Sequence, residues 1–215
     1  MKIQWVAHSC FHVVLEDGTS LVFDPFSDIG YTLPELRADM VFLSHQHHDH
    51  NAADKVGGDF VLFDKPGFYR EGGATIEGIP SFHDKELGRL RGENVVFKVC
   101  AEGLTLAHLG DLGHIPGEDL LRRLKGADVL FIPVGGVYTL DAEEAFETCK
   151  LIEPNIIIPM HYKTPGLEIN LGSLNSFLEA VKGYYDRSFQ GESVFSFSAE
   201  GRKKRSRVVI LEKSV

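Results

Sequence analysis

The chain has 215 residues, 43% hydrophobic and 25% charged, with a net charge of −9; this is the profile of a soluble globular protein long enough to bury one sizeable core. That acidity disfavours nonspecific binding to nucleic acid or anionic membrane. No apolar run approaches the ~18 residues of a membrane span, and Met1–His8 lacks the apolar stretch of a signal peptide. The three cysteines, Cys10, Cys100 and Cys149, form no C-x-x-C pair, which argues against a disulfide framework and fits a reducing, cytoplasmic setting.

In chain order, Lys2–Val6, Phe11–Glu16 and Ser20–Phe23 are short β-rich runs, with Asp17-Gly18 as a hairpin signal. A loop from Ser27 to Ala38 precedes the apolar run Asp39–Leu43. Asn51–Lys55 reads as the start of a helix. Phe60–Phe63, Ala74–Glu77, Ile79–Phe82, Val95–Val99 and Leu104–Leu109 are further strands, and Asp84–Asn94 is a polar, Gly-rich loop. Helices are expected at Glu118–Lys125, from a capping box at Asp141–Glu144, and over Leu171–Tyr185. Between them, Val129–Val134 and Ile156–Met160 are near-continuous apolar runs, the pattern of strands buried on both faces. Ser193–Phe197 and Arg207–Leu211 return to strand. The basic stretch Gly201–Arg205 between them reads as a solvated hairpin tip, with a nucleic-acid or targeting role as the lesser alternative. The expected architecture is an α/β arrangement of two sheets packed face to face with helices outside, as one domain over residues 1–215.

The chemistry concentrates at Ser44-His45-Gln46-His47-His48-Asp49-His50, at the end of one strand. His45 and His47 share strand parity, so one cation can take both imidazoles. Asp49 and His50 follow where the chain turns and can serve a second cation. His83, Asp111 and His161 each follow an apolar run, and strand-end polar residues are candidates for one shared rim. One cation would take His45, His47 and His83, and the other Asp49, His50 and His161. Asp111 would bridge, because a carboxylate can hold two cations about 3.5–4 Å apart. A bridging hydroxide would then attack an electrophilic phosphorus or carbonyl, with no side-chain nucleophile. Imidazole with carboxylate suits zinc first, with manganese, nickel or iron as alternatives.

His45-Gln46-His47-His48-Asp49-His50 resembles the H-x-H-x-D-H signature of the metallo-β-lactamase superfamily, and His83, Gly110-Asp111 and His161 match its later motifs in order. The resemblance spans the chain and implies an αββα sandwich with mixed sheets and a metal site at its edge. His8-Ser9-Cys10-Phe11, His108–His114 and Pro159–Tyr162 resemble the branch of uncharacterised metal-dependent hydrolases related to L-ascorbate-6-phosphate lactonase. N-acylphosphatidylethanolamine phospholipase D is a more distant likeness. Asp111, where a cysteine would stand in a true β-lactamase, and the absence of room for an RNA-processing domain narrow the choice. Ala7 departs from the glycine common before the His8 motif.

His8 is expected beside the metals, orienting Asp49, Asp111 or a substrate oxygen, and His114 at the substrate. Asp49 and Asp111 are the catalytic carboxylates. His108 is expected to be buried and hydrogen-bonded, His12 structural and His48 exposed. Arg89, Arg91 and Tyr162 are open between substrate contact and structure. The resulting expectation is a dinuclear hydrolase of a small phosphodiester, phosphorylated lactone or related ester. A di-iron redox or oxygen-handling protein and a non-catalytic sensor are the alternatives. The expected partner is a small-molecule substrate, phosphorylated or not, with no nucleic acid or membrane. A homo-oligomer through the segments near Tyr31 and Phe68-Tyr69 is left open.

Overall fold

A computed structural model describes residues 1–203 and 205–215. Its strands and helices, in chain order, are β1 (Lys2–Ala7), β2 (Cys10–Val14), β3 (Ser20–Phe23), β4 (Leu36–Arg37), β5 (Met40–Phe42), β6 (Val56–Gly57), β7 (Val61–Phe63), β8 (Gly67–Glu71), β9 (Ala74–Phe82), β10 (Glu93–Ala101), β11 (Leu104–His108), α1 (Glu118–Leu124), β12 (Val129–Pro133), α2 (Ala142–Ile152), β13 (Ile156–Met160), α3 (Leu174–Ala180), β14 (Asp186–Phe189), β15 (Val194–Ser196) and β16 (Arg207–Ile210).

They build two mixed sheets. One runs β15-β1-β2-β3-β5-β7, the other β14-β16-β13-β12-β11-β10-β9-β8, and β4 pairs with β6 alone. Period-2 alternation sorts the first sheet's side chains. Ile3, Trp5, Phe11, Val13, Leu21, Phe23, Met40 and Phe42 face the second sheet in the main core, whereas Val6, Cys10, Val22 and Val41 face outward into a second, smaller core. Aromatic rings join the two sheets, with Phe11 4.3 Å from Phe131 and Phe42 5.2 Å from Phe97. The strands β12 and β13 are buried along their whole length, as their unbroken apolar runs require.

The helices cover one outer face only. The three helices pack on the second sheet, and α2 starts at the expected capping box, where Asp141 accepts from Glu144 N and Glu144 accepts from Asp141 N. The outer face of the first sheet is closed instead by Phe26, Ile29, Leu36, Val56, Leu167 and Leu171 on loops and the β4–β6 pair. The expected helix after the metal loop is a single 3-10 turn, Ala53–Lys55, which runs straight into β6.

Two expectations fail on non-local grounds. Ala74–Glu77 and Ile79–Phe82 are one strand, β9. Gly78 continues it because the backbone of Lys65 passes 2.6 Å from where its Cβ would sit, a place only glycine can fill. The two tail strands are not a hairpin: β15 pairs with β1 and β16 with β13 and β14, in different sheets. Of the basic tip, Lys204 lies outside the described residues. Arg202 is exposed but not free: both oxygens of Asp128 and the carbonyl of Gly103 accept from its guanidinium. Among the described residues no helix is long and apolar enough to cross a membrane.

Direction completes the scaffold. β1, β3 and β5 run the same way in the first sheet, as do β9, β11, β12 and β13 in the second. Their C-terminal ends therefore open onto one rim, the place where ligands bind in open α/β sheets.

Candidate metal centre

Every metal-ligand candidate from the sequence reaches that rim, together with His8 and Asp24. His8 follows β1, Asp24 follows β3, His45 to His50 follow β5, His83 follows β9, Asp111 follows β11 and His161 follows β13. His8, Asp24 and His161 sit in the left-handed region, with φ of 55°, 43° and 53°. Each such residue costs about 1–2 kcal/mol. The turn they make directs a side chain inward at the end of its strand, and His161 N donates to His8 O across the two sheets at 3.2 Å.

Three sets of donor atoms converge. His45, His47 and His83 form one, His8, Asp49, His50 and His161 a second, and Asp111 joins His45 and His50 in a third. His45 Nε2 lies 3.0 Å from His47 Nδ1. Asp111 Oδ2 stands 3.1 Å from both His83 Nε2 and His161 Nε2, and its Oδ1 3.2 Å from His50 Nε2. The carboxylate thus lies between the two sets. All these side chains are buried except Asp49, which is half-buried, and His47, which is exposed.

A network around Asp24, which sequence reasoning missed, sets the ring orientations. His50 Nδ1–H donates to Asp24 Oδ2 at 2.8 Å, and the Ser44 hydroxyl donates to the same oxygen at 2.6 Å. With its proton so committed, Ser44 Oγ accepts from His45 Nδ1–H at 2.9 Å. Nε2 of both rings faces the rim; His45 has the neutral tautomer a ligand needs, and His50 reaches it on giving up the proton that Asp111 and Asp24 favour. Ser44 N also donates to Asp24 Oδ1 at 2.7 Å. Asp24 was detectable by the same signal as Asp111, a carboxylate directly after an apolar strand. Asn94 does the parallel work for Asp111, accepting from its backbone N–H at 2.9 Å while donating to Leu109 O and Ser81 Oγ. Asp24→Ala is therefore expected to weaken metal affinity 10- to 100-fold, read by competition with a chromophoric chelator; wild-type affinity would remove Asp24 from this role.

The charges are mutually adjusted. Burial would raise the Asp111 carboxyl, but His161 and His50 hold it well below the usual carboxylate range. Burial would lower His50, but Asp111 and Asp24 raise it well above an ordinary imidazole. Burial and His50 push His45 down to about 3, and burial and His161 push His8 down to about 4, so both rings are neutral near pH 7. Burial would raise Asp49 too, yet its hydrogen bond with His8 and the charge of His50 keep it ionised.

The donors fit a metal. Buried polar groups are nearly always partnered, yet His50 Nε2 and Asp111 Oδ1, although 3.2 Å apart, make no well-aligned hydrogen bond with each other or with any other described residue. Three imidazoles on one side, and imidazoles with a carboxylate on the other, are the nitrogen and oxygen ligands of zinc, manganese, nickel or iron.

The remaining candidates separate. His8 Nε2 lies 3.2 Å from Asp49 Oδ2, so it orients that carboxylate. His114 is outside the converging sets; its Nδ1–H donates to Ile115 O at 3.0 Å and its ring packs near Phe82. His108 is buried, donating from Nε2 to Ser9 O and accepting Gly110 N–H at Nδ1. His12 bonds Ser20, and His48 is exposed. Tyr162 is buried against Trp5, 5.2 Å between rings. Arg89 pairs with Glu86, and Arg91 reaches Val137 O and the Tyr138 ring.

The chain is similar to proteins already known. The family model described as beta-lactamase superfamily domain matches residues 2–161. A metal-dependent hydrolase of Carboxydothermus hydrogenoformans is 29% identical over 194 residues, 76% of this chain and 85% of its own. One of Staphylothermus marinus is 31% identical, over 75% of this chain and 83% of its own. A solved Thermotoga maritima structure, assigned to the Zn-dependent hydrolases of the metallo-β-lactamase superfamily, is 37% identical. It has a TM-score of 0.82, with 99% of each chain covered.

Proposed function

The chain belongs to the beta-lactamase superfamily and is a metal-dependent hydrolase, and on that premise we propose that its rim site holds two divalent cations, zinc first, and hydrolyses a small phosphodiester, phosphorylated lactone or related ester. The observation that carries the dinuclear reading is the place of Asp111 Oδ2, 3.1 Å from a ligand of each set, His83 and His161. When bound, a cation pair supplies Lewis acidity and brings the pKa of water near neutrality.

The chain's own residues do the rest. His45, His47 and His83 would hold one cation, and Asp49, His50 and His161 the other. His8 fixes the rotamer of Asp49 as a neutral hydrogen-bond donor. Asp49 and Asp111 bring two negative charges against the four positive charges of such a pair, which leaves net attraction for an anionic ester. No protein nucleophile is called on: burial and Asp24 push the Cys10 thiol well above its ordinary value, and the Ser44 hydroxyl is committed to Asp24. The resemblance of His8–Phe11, His108–His114 and Pro159–Tyr162 to the branch related to L-ascorbate-6-phosphate lactonase supports phosphorylated substrates.

The test is elemental analysis of purified protein together with hydrolysis of bis(p-nitrophenyl) phosphate. About two equivalents of metal per chain are expected, unchanged in His48→Ala, whose side chain is exposed. Failure to take up zinc, manganese, nickel or iron would overturn the reading, and two equivalents of iron with oxygen reactivity and no hydrolysis would replace it with the di-iron alternative. Because His50 carries a proton in the metal-free protein, metal uptake must release it. Apparent affinity should then rise with pH until the pH passes the raised His50 value, and calorimetry in buffers of different ionisation enthalpy should show that proton release.

A further inference from the structure

Three loops stand beside the metal centre: residues 84–92 after His83, 112–117 after Asp111, and 135–141 after β12, whose neighbouring strands lead to Asp111 and His161. They are stitched together. Gly113 N donates to Phe82 O at 3.0 Å and Leu140 N to Leu112 O at 3.0 Å. Arg91 donates to Val137 O at 3.4 Å and lies 5.5 Å from the Tyr138 ring centroid. Between them is a cleft of about 310 Å³ that Leu90, Val137 and Tyr138 line on an apolar side and Asp84, Lys85, Glu86, Arg91, Asp141 and Glu144 on a charged one, with Leu87 outside it.

The tips of these loops are apolar and open. Leu87 is 75% exposed, Leu90 69% and Val137 55%, with Ile115 and Tyr138 also among the exposed large apolar side chains. Two of them are held at a conformational cost, Leu87 at φ 59° and Val137 at φ 63°. For a β-branched residue that is a true outlier, and such strain persists where the surroundings impose it, often at ligand clamps. The loop that carries Leu87 and Leu90 is preorganised. The buried Asp84 carboxylate accepts from the backbone N–H of Glu86, Gly88, Leu90 and Arg91, at 2.7 to 3.0 Å.

We propose that the substrate of this site carries an apolar group, a short alkyl chain or an aryl ring, next to its scissile bond, and that Leu87, Leu90, Val137 and Tyr138 form the wall that receives it. The proposal rests on the hydrolase reading above and names the substrate class for the same site. Water-exposed apolar residues on strained, fastened loops offset their cost when a ligand covers them. The occupant is the substrate because the wall flanks a cleft bounded by Asp84 and Gly113, the residues next to ligand His83 and two beyond ligand Asp111. The cleft volume lies at the low end of ligand pockets, which suits a small substituent set against the apolar side.

The probes are methyl-, butyl-, hexyl- and phenylphosphonate, titrated calorimetrically into the zinc-loaded protein and into a Leu90→Ser/Val137→Ser variant. The dissociation constant is expected to fall about fourfold per added methylene over the first few. The hexyl-to-methyl ratio should collapse to within about threefold in the variant. Leu90→Ser alone serves if the double variant fails to melt cooperatively. A flat series in the wild type, or an unchanged ratio in a folded variant, would sink the proposal. So would light scattering showing a wild-type dimer and a monomeric variant, because the wall would then be an interface between copies. Chain-length dependence without ester hydrolysis would support the wall and count against the reaction. Hydrolysis with a flat series would do the reverse.

Discussion

Asp111→Ala is expected to lose both metals and hydrolysis together. One buried carboxylate touches three imidazoles, with Oδ2 3.1 Å from His83 Nε2 and His161 Nε2 and Oδ1 3.2 Å from His50 Nε2. Removing it leaves two neutral donor sets with only Asp49 to balance two dications. Groups that merely orient a ligand are worth 10- to 100-fold in affinity or activity. A carboxylate between both sets should be worth more, and turnover should fall by at least about 10³-fold. Circular dichroism and melting of the variant must show a folded protein, so that loss of metal reports on the site. Full metal content and full hydrolysis in a folded Asp111→Ala protein would refute the dinuclear assignment.

Gly110→Ala is expected to damage the fold and the site at once. Gly110 has φ 54°, and a Cβ there would lie 2.4 Å from both Asn94 Oδ1 and Ser44 Cβ. Those two neighbours are the groups that position Asp111 and, through Asp24, His45 and His50. Overpacking costs about 1–3 kcal/mol, and the left-handed conformation of alanine about 1–2 more. For a domain of this size that is a fall in melting midpoint of roughly 5–15 °C. Gly103→Ala is the control: its φ is 71°, with nothing within 4 Å of the added carbon. If the two variants melt alike, the clash at Gly110 is not felt and the close approach of the two sheets behind Asp111 is looser than described.

The candidate metal-binding residues that converge in the fold were legible because their signals are local. His45, His47, Asp49 and His50 fall within six residues, and His83, Asp111 and His161 each end an apolar run. Strand parity and length suffice to read such patterns. The network behind them was not legible. Asp24, Ser44 and Asn94 are ordinary polar residues whose roles arise only when β3, β5 and β10 bring them against His50, His45 and Asp111. The expected substrate contact by His114 rests on sequence proximity to Asp111; in the fold its Nδ1–H turns to the carbonyl of Ile115, while its Nε2 has no hydrogen-bond partner among the described residues.

By itself, the sequence determined the strands whose alternation or unbroken apolarity reports burial, the capped start of α2, and the residue types that can bind metal. Those are properties of a residue and its near neighbours. Only the tertiary structure decided that the first sheet is covered by loops, that β15 and β16 part into different sheets, and that Asp24 dictates which nitrogen of two histidines faces the rim. Each depends on groups far apart in the chain meeting in a buried place, where a hydrogen-bond partner or a missing Cβ decides the outcome.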